Sequence, residues 1–342
     1  MYLGRGEFSL KLDQDEQTVS GGAHALALWF EAKETCGLRE ESLPAPSVDE
    51  VLVRTLFSGI SRGTESLIFR GAVPESEVDR MRGPHMQGTF PFPVKYGYAA
   101  VGHVEAGPQH LLGKSVFALH PHQDRFVLPV DQVTVLPETL PPQRAVLAAN
   151  METALNIVWD AAIQPGDRVA IFGAGVVGSL VAYLSSRIVG TETVLVDLDP
   201  ERQGLATDLG LSFSVADRLD GEFDVLINAT ASAAALENAI ALAGVEAKIV
   251  EASWYGDRPV TLPLGGAFHS RRLSLVSSQV GAVPASRRAR WSYARRLAKA
   301  LELLLDDRLD RLISGETRFS ELPAAYGRIL STQETLCHRI RY

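Results

Sequence analysis

The sequence has little cysteine. Cys36 and Cys337 are the only two cysteines among 342 residues, and they form no CxxC pair. They cannot build a disulfide framework or a cluster of zinc-bound thiolates. Scarce, unpaired cysteine is typical of a reducing compartment, so we expect a cytoplasmic protein.

Long apolar runs are also missing, although hydrophobic residues make up 46% of the chain. No stretch approaches the roughly 18 consecutive apolar residues of a membrane span. The N-terminal segment is polar, contains Asp13, Asp15 and Glu16, and lacks the apolar region of a secretory signal. We therefore expect neither a membrane span nor secretion, and we expect residues 1–22 to be a disordered tail.

An excess of positive charge is missing as well, because the formal net charge is -8. No overall field attracts phosphate backbones or anionic lipids, so neither nucleic acid nor a membrane is an expected partner. One basic stretch departs from this balance, and we interpret it as the solvated face of an amphipathic helix. Its cations are Arg287, Arg288, Arg290, Arg295, Arg296 and Lys299, and its apolar stripe is Trp291, Leu297, Leu301 and Leu304.

The first half of the chain is rich in β-forming residues. From residue 25 to about 135, short runs of such residues are separated by Gly and Pro. Several short strands with these turns are typical of a compact, mostly antiparallel, barrel-like domain. The runs are ALALWFEA, EVLVRTLFSG, YAAVGHVEAG, KSVFALH and RFVLPVDQVTVLP.

The second half has a different pattern, which begins near Pro141. Residues 145–162 have apolar residues at helical spacing, and strands then alternate with helices from DRVAIFG to LSLVSSQ. Because each parallel step needs a helical crossover, the alternation predicts a doubly wound parallel sheet, which is an α/β Rossmann domain. We place a β-rich domain in residues 1–150, the Rossmann domain in 151–284 and a C-terminal return to the first domain in 285–342.

The most specific local motif is the run VAIFGAGVVGSLVAYL, in which a predicted strand leads through glycines into a helix. Gly173, Gly175 and Gly178 have GxGxxG spacing. The first allows a tight turn, the second lets the backbone approach a pyrophosphate, and the third lets the helix pack closely on the strand. The helix that starts at Val176 and Val177 then points free N–H groups at the phosphates.

A carboxylate, Asp197, ends the next predicted strand, VLVD, about 20 residues after the motif. It can accept hydrogen bonds from the adenosine ribose hydroxyls and would repel a 2′-phosphate. The motif therefore predicts NAD as cofactor, with NADP as the alternative because Arg202 could meet that phosphate. A flavin or nucleotide-sugar Rossmann domain, or a glycine-rich turn without a ligand, is the other interpretation of the motif.

A β-rich domain, a Rossmann domain and a short return segment in this order resemble the medium-chain dehydrogenase/reductase superfamily, which includes the zinc-type alcohol and sorbitol dehydrogenases. The resemblance covers nearly the whole chain from about Ala25. It implies a GroES-like catalytic domain, NAD(P)-dependent hydride transfer on a small-molecule substrate, and a homodimer joined through the Rossmann sheets. By position it also implies cofactor contacts at Ala229 and Ser278.

The zinc ligands of that superfamily are replaced in this chain. Ser61 in SGISRGTE stands where the first ligand is a cysteine, and Tyr98 in KYGYAAVG stands where the second is a histidine. The third ligand would fall near Asn150 or Glu152, and the four-cysteine structural lobe is missing. A tetrahedral zinc site needs thiolate, imidazole or carboxylate donors. We therefore predict no zinc in the catalytic site.

Three segments, SGISRGTE, the GY pair at 97–98 and FHSRRLSLVSSQVG, resemble a zinc-lacking subgroup of the superfamily. That subgroup includes a bacteriochlorophyllide 2-hydroxyethyl dehydrogenase. The likeness lies in motifs, so it implies the reaction type and leaves the substrate open.

Without zinc, hydride transfer needs another group that polarises the substrate oxygen and moves a proton. The candidates are the hydroxyls at or near the former ligand positions: Ser61, Thr64 and Tyr98. Relatives have a Ser or Thr proton relay near the position of Thr64, and Tyr98 would be the better donor if Lys95 lowered its pKa. Which hydroxyl acts, and which only packs or makes a turn hydrogen bond, stays open.

Two histidines lie close together in FALHPHQDRF. On a strand, His120 and His122 would share a face, which favours a metal or acid–base pair, but Pro121 between them weakens a regular strand. We include His122 among the candidate catalytic residues, as a histidine of the substrate cleft, and assign no metal ligand.

Together these observations predict a NAD(P)-dependent dehydrogenase/reductase that acts on a secondary alcohol, a ketone or an activated alkene in the cleft between two domains. The alternative is a NAD(P)-binding redox sensor or structural protein without turnover. An open, polar cleft around Ser61, Thr64 and Tyr98 favours the enzyme, whereas a cleft filled by apolar side chains favours the sensor.

Overall fold

The computed structural model describes residues 23–342; residues 1–22, for which we expected a tail, lie outside the described residues. None of the helices in the described part is long and apolar enough to cross a membrane. The helices are α1 Arg62–Phe69, α2 Pro142–Ala145, α3 Ala148–Ala161, α4 Val176–Ser185, α5 Arg202–Asp208, α6 Ala233–Leu242, α7 Tyr293–Leu303 and α8 Leu322–Ser331. The strands are β1 His24–Ala32, β2 Thr35–Ser42, β3 Glu50–Ile60, β4 Gln87–Gly88, β5 Val94–Lys95, β6 Ala100–Ala106, β7 Ser115–Ala118, β8 Arg125–Pro129, β9 Thr134–Val135, β10 Arg168–Phe172, β11 Glu192–Asp197, β12 Ser212–Val215, β13 Phe223–Asn228, β14 Ala243–Glu251, β15 Ser274–Ser277, β16 Ile313–Arg318 and β17 Cys337–Arg341.

Six strands form an entirely parallel sheet in the order β12-β11-β10-β13-β14-β15. Residues 169–172 of β10 are all buried, because α4 covers one face of the sheet through Leu180 and α6 covers the other through Leu236. The chain runs to β11 and β12 on one side of β10 and to β13, β14 and β15 on the other. Such a switch point opens a crevice at the carboxyl ends of the strands.

The remaining strands form two further sheets. One has four strands in the order β2-β1-β5-β4, and the other has the order β16-β17-β3-β6-β7-β9 with β8 paired to β3. Their pairings are antiparallel except that of β16 with β17. Strand β17 lies beside β3, so the C-terminal segment completes a sheet that the first half of the chain begins. The predicted fold class, a Rossmann sheet with a GroES-like β-rich part, is confirmed.

Helix α3 joins the two parts of the chain. Most of its buried apolar side chains belong to one cluster that includes Val101 of β6 and Ile171 of β10. The helix ends at Ala161, and the left-handed φ of 55° at its C-cap, Ala162, turns the chain toward β10. The predicted boundary between residues 150 and 151 falls in the first turn of α3, and we keep that division as a proposal.

Our interpretation of the basic stretch as a solvated face is wrong for one of its arginines. Helix α7 begins two residues after Trp291, and Arg296 on this helix is only 3% exposed. Its guanidinium donates to Glu152 Oε1 at 2.9 Å, to Asn156 Oδ1 at 2.6 Å and to the carbonyl of Val280 at 2.8 Å. Helical spacing cannot reveal such a partner, because the carboxylate lies on α3, far away in sequence.

Candidate cofactor and catalytic site

The glycine-rich loop between β10 and α4 has a conformation that needs its glycines. Gly173 has a φ of +105°, which residues with a Cβ rarely adopt. A Cβ added to Gly178 would lie 1.9 Å from the carbonyl oxygen of Gly173, so only glycine lets α4 approach β10 this closely. A Cβ added to Gly175, the N-cap of α4, meets nothing within 4 Å, so the space before the helix N-terminus is open. Val176 and Val177 form the first turn of α4.

Asp197 ends β11 beside this loop. Its Oδ2 accepts a hydrogen bond from the Ala174 amide at 2.7 Å, and its Oδ1 accepts one from the Asp199 amide at 3.0 Å. Each carboxylate oxygen keeps a second acceptor direction for a donor such as a ribose hydroxyl. The next residue, Leu198, is an apolar side chain that is 81% exposed. The open helix N-terminus and this carboxylate therefore form one continuous site that suits a dinucleotide.

Two arginines approach Asp197 from different parts of the chain. Arg62 starts α1 and Arg202 starts α5. Both donate to the carbonyl of Gln333, Arg62 at 2.9 Å and Arg202 at 2.8 Å. Burial and the Arg202 charge lower the pKa of Arg62, and the Asp197 carboxylate opposes that change. The carboxylate end of the site thus has two neighbouring cations, of which the sequence analysis named only Arg202.

Strands β10, β13, β14 and β15 end at the same level of the parallel sheet. They extend from the glycine-rich loop on the side opposite to Asp197. The predicted cofactor contacts Ala229 and Ser278 follow two of these strands directly. The Ala229 amide donates to the Phe172 carbonyl at 2.9 Å, and the Ser278 amide donates to the Glu251 carbonyl at 3.0 Å. The row, given by the register of β10, β13, β14 and β15, consists of Phe172, Asn228, Glu251 and Ser277.

The three hydroxyl residues named as catalytic candidates come together at the start of α1. Ser61 is the N-cap of this helix, and Thr64 lies in its first turn. Tyr98 precedes β6 and is partly buried. Burial raises the pKa of its hydroxyl to about 12, and hydrogen bonding to the side chains of Ser61 and Thr64 opposes that rise. The Tyr98 hydroxyl is therefore protonated at neutral pH and is a hydrogen-bond donor.

The expectation that Lys95 lowers the pKa of Tyr98 is wrong. The Lys95 side chain is 2% exposed, and its ammonium lies 2.6 Å from Glu41 Oε2 and 2.9 Å from Gln123 Oε1. Burial also lowers the pKa of Lys95 itself. Sequence proximity suggested a contact with Tyr98, but β1 pairs with β5 and draws Lys95 into the neighbouring sheet.

His122 does not lie in an open cleft with the three hydroxyl candidates, since its side chain is fully buried. Its Nδ1 is 2.8 Å from Ser58 Oγ and its Nε2 is 3.0 Å from Glu65 Oε2. In the neutral ring the Nε2 proton is donated to the carboxylate, and Nδ1 accepts from Ser58. Ser58 Oγ also lies 2.9 Å from the Tyr342 hydroxyl. Both ring nitrogens are thus bound within the protein, so His122 does not reach a substrate directly.

Glu65 is the centre of this buried network. Its side chain is fully buried, and its Oε1 accepts from the Ser61 amide at 2.7 Å. Its Oε2 accepts from His122 and from the Tyr326 hydroxyl. Because the Ser61 amide is at the N-terminus of α1, the Glu65 carboxylate fixes the backbone that carries two of the three hydroxyl candidates.

The two histidines of the FALHPHQDRF segment do not act as a pair. The segment between β7 and β8 is not a strand, which agrees with the effect expected of Pro121. The His120 ring stacks on Phe126 with 4.0 Å between ring centroids, away from the partners of His122. Burial lowers the pKa of His120 well below its ordinary value of 6.5, so this ring is neutral at neutral pH.

The donors at the former ligand positions do not suit zinc. Ser61 and Tyr98 offer only hydroxyls, and the Glu152 carboxylate is paired with the Arg296 guanidinium at 2.9 Å. Asn150 offers a neutral amide. Within residues 23–342, no group of three or more His, Cys, Asp or Glu side chains is arranged to hold a metal ion. The position therefore lacks the type and number of donors that a tetrahedral zinc site needs.

Sequence reasoning missed Ser58, Glu65 and Arg62. Glu65 carried a usable signal, since a carboxylate in the first turn of a helix is favoured beside the free N–H groups at the helix start. The other two carried none. Ser58 lies within a strand, and its buried partners come from segments distant in sequence.

No protein-family model matches the chain. Among curated proteins, it is similar to D-xylulose reductase A from Aspergillus niger, with 32% identity over 140 residues. That alignment covers 40% of this chain and 36% of the relative, so the chain matches about a third of the length of this curated relative.

Solved structures extend the likeness to nearly the whole fold. A structure described as a short chain alcohol dehydrogenase from Escherichia coli CFT073, complexed with NADH, has a TM-score of 0.74 at 18% identity. It covers 94% of this chain and 100% of the other. L-Idonate 5-dehydrogenase from Escherichia coli K-12 has a TM-score of 0.77 at 14% identity and covers 94% and 99%. The chain has the fold of the zinc-type, medium-chain dehydrogenases/reductases that its sequence resembles.

Proposed function

We propose that this protein is a NAD(P)-dependent oxidoreductase that moves a hydride between the cofactor and a secondary alcohol or ketone without catalytic zinc. The observation that carries the proposal is the hydrogen bond from the Ala174 amide to Asp197, which connects the open N-terminus of α4 with the carboxylate that we assign to the adenosine ribose. The hydroxyls at the start of α1 would supply the other requirement of the reaction, a group that polarises the substrate oxygen and moves a proton.

The cofactor we propose is NAD(H). Gly173, Gly175 and Gly178 would hold the pyrophosphate against the first turn of α4, and Asp197 would accept from the adenosine ribose. The carboxylate disfavours a 2′-phosphate, whereas the neighbouring Arg202 and Arg62 favour one. NADP(H) is therefore the second candidate.

The bound dinucleotide would supply or accept the hydride, and the chain itself must handle the proton. We assign this task to Tyr98, because its hydroxyl stays protonated to about pH 12 and can donate to a carbonyl oxygen. Ser61 and Thr64, whose side chains lie beside this hydroxyl, are the next members of a proton path. A hydroxyl trio of this kind takes the place of the metal as the group that polarises the substrate oxygen.

Glu65 and His122 would act as positioning residues for this trio. Glu65 holds the Ser61 amide, and His122 and Tyr326 hold Glu65. Three donors around one buried carboxylate keep the start of α1 in a fixed orientation.

The substrate class we propose is a small secondary alcohol or polyol and the corresponding ketone. The names of the similar proteins, a xylulose reductase and an idonate dehydrogenase, support this choice. A homodimer joined through the exposed edge strand β15 is the assembly we propose, and membership of the zinc-lacking subgroup stays a prediction. Reduction of an activated alkene is the alternative reaction.

The first test is a fluorescence titration of the purified protein with NADH and NADPH, followed by a screen of ketones, polyols and enones. The proposal expects saturable binding, tighter for NADH, and turnover with at least one ketone or polyol. Thr64→Val and Tyr98→Phe are the controls that attribute turnover to the hydroxyl trio. Absence of saturable binding of either dinucleotide would overturn the proposal.

A non-catalytic redox sensor is the second candidate function. The observation that favours it is the packing of Tyr98, whose ring contacts apolar residues of two core clusters and lies 6.1 Å from the Tyr96 ring in an edge-on arrangement. A sensor binds the dinucleotide but turns over no substrate in the screen, so the same experiment separates the two functions.

A further inference from the structure

Glu251 is a partly buried carboxylate that the proposed reaction does not use. It is the last residue of β14 and lies in the row that connects Phe172, Asn228 and Ser277 at the carboxyl ends of the parallel strands. The corresponding edge of a doubly wound sheet is where ligands bind. A charged group at this place therefore affects whatever occupies the crevice.

The contacts of Glu251 favour its ionised form. Its Oε1 accepts from the Ser253 amide at 2.8 Å, and its Oε2 accepts from Asn228 Nδ2 at 2.7 Å and from the Tyr255 hydroxyl at 3.1 Å. Amide nitrogens only donate, so two of the three contacts require an acceptor oxygen. Burial raises the pKa of the carboxyl, and these hydrogen bonds oppose that rise.

No cation in the described part of the chain forms an ion pair with Glu251 within 4 Å. The nearby Arg258 stacks over the Tyr255 ring at 5.7 Å and donates to the carbonyls of Tyr255 and Ala231 instead. Glu251 thus has hydrogen-bond donors but no countercharge. A partly buried anion without a countercharge favours a positive charge on a ligand in the crevice.

Topology indicates which half of a dinucleotide lies on this side. Asp197 ends β11, which flanks β10 on one side, and the glycine loop follows β10 itself. If the adenosine ribose is at Asp197 and the pyrophosphate is at the loop, the other half of the molecule extends toward β13, β14 and β15. That half is the nicotinamide, whose ring is positively charged when oxidised and neutral when reduced.

We propose that Glu251 makes the site prefer the oxidised nicotinamide cofactor over the reduced one, through its uncompensated negative charge at the end of β14. This inference rests on the proposed function, because it requires that a nicotinamide dinucleotide binds in the crevice. The preference biases the protein toward oxidation of an alcohol. Glu251 is a specificity-determining residue for the redox state of the cofactor and makes no contact with the reacting atoms.

The test is the ratio of dissociation constants, Kd(NADH)/Kd(NAD+), measured by calorimetry without substrate. Glu251→Gln keeps the size of the side chain and removes its charge. We expect the ratio to fall about tenfold, which corresponds to the loss of about 1.4 kcal/mol of attraction between the carboxylate and the charged ring. Tyr255→Phe removes one hydrogen bond from the carboxylate and keeps its charge, so the ratio should stay near that of the wild type.

A second variant guards against misfolding of Glu251→Gln. Ser277→Lys introduces a cation at an exposed position beside Glu251 in the row, and Ser277 makes no side-chain hydrogen bond within residues 23–342. It leaves every partner of Glu251 in place and should lower the ratio in the same direction.

The outcomes separate this inference from the proposed function. An unchanged ratio in folded Glu251→Gln and in Ser277→Lys would overturn the role of Glu251 while leaving dinucleotide binding intact. Equal weakening of both redox forms in Glu251→Gln, without a change in their ratio, would also overturn it, since that is the signature of a purely structural carboxylate. Failure of the wild type to bind either form would instead overturn the proposed function.

Discussion

The glycine loop and the start of α1 both serve the reaction that we propose. They differ in how closely their residues match those of the zinc-type dehydrogenases that the chain resembles. The loop keeps its glycines, and Gly178 leaves no room for a Cβ. The start of α1 has hydroxyls at the positions where our sequence analysis places the metal ligands of those dehydrogenases, and the buried Glu65 carboxylate binds the backbone that carries them. Dinucleotide binding is therefore constrained by backbone geometry, whereas the chemistry beside it depends on side chains that can be exchanged.

This difference is physical. Where a helix packs this closely on a neighbouring backbone, only glycine fits. The glycine motif can therefore be recognised in the sequence. A site that polarises an oxygen can be built from a metal or from hydrogen-bond donors, and different residue types serve. The fold thus predicts the cofactor more firmly than the catalytic group.

The largest effect is expected from Gly178→Ala. The new Cβ would lie 1.9 Å from the Gly173 carbonyl oxygen, so α4 or the loop must move. We expect loss of detectable NADH binding and a loss of about 3 kcal/mol in the free energy of unfolding, measured by fluorescence titration and urea denaturation. Gly204→Ala is the matched control, because a Cβ there meets nothing within 4 Å. Equal behaviour of the two variants would contradict the role of close packing.

The next effect is expected from Tyr98→Phe. Removal of the proposed proton donor should lower kcat about 100-fold, while the Kd for NADH stays unchanged. Because the pKa of Tyr98 is raised to about 12, its hydroxyl remains protonated below that pH, and the wild-type rate should show no loss from Tyr98 ionisation between pH 7 and 10. A variant as active as the wild type would remove Tyr98 from the proton path and direct attention to Thr64→Val.

A smaller effect, on stability, is expected from Glu65→Gln. The amide keeps one acceptor oxygen but presents an NH2 group to donors that the carboxylate now satisfies. We expect the free energy of unfolding to fall by about 2 kcal/mol, measured by urea denaturation. The exposed Glu75→Gln should change it by less than about 0.5 kcal/mol. A Glu65→Gln protein as stable as the wild type would show that the network does not hold α1.

The smallest effect is expected from Asp197→Asn. Loss of the charge should narrow the preference for NADH over NADPH by about tenfold, because repulsion of a 2′-phosphate is removed while Arg62 and Arg202 remain. The ratio of the two dissociation constants is the measurement, and Asp220→Asn, an exposed residue away from the loop, is the control. A wild type that binds NADPH more tightly than NADH would contradict our assignment of the carboxylate and favour the arginines as the determinant.

The sequence predicted the architecture because its main elements repeat simple periods. The apolar run of β10, the glycine motif and the alternation that follows lie within short windows, and the structure has the corresponding strands and helices. Strands β2 and β12 were not predicted, because the segments TCGLREES and SFSV are too polar to show a buried face.

The rest of the site was out of reach because it depends on contacts between distant segments. Arg296 was expected in solvent, but it meets Glu152 on a helix more than a hundred residues away. Lys95 was expected beside Tyr98, but strand pairing draws it to Glu41. Glu251 was not predicted as a site residue, since only the register of the parallel strands shows that it lies level with the glycine loop. Local patterns identify residue types, whereas partners of buried charges require the fold.

The most direct test of hydride transfer without zinc is the rate of ketone reduction, with the substrate found in the screen, before and after dialysis against a strong zinc chelator. Zinc content is measured in the same samples. Our account predicts an unchanged rate at substoichiometric zinc, because Ser61, Thr64 and Tyr98 replace the metal. A rate that disappears on dialysis and returns with added zinc would contradict it.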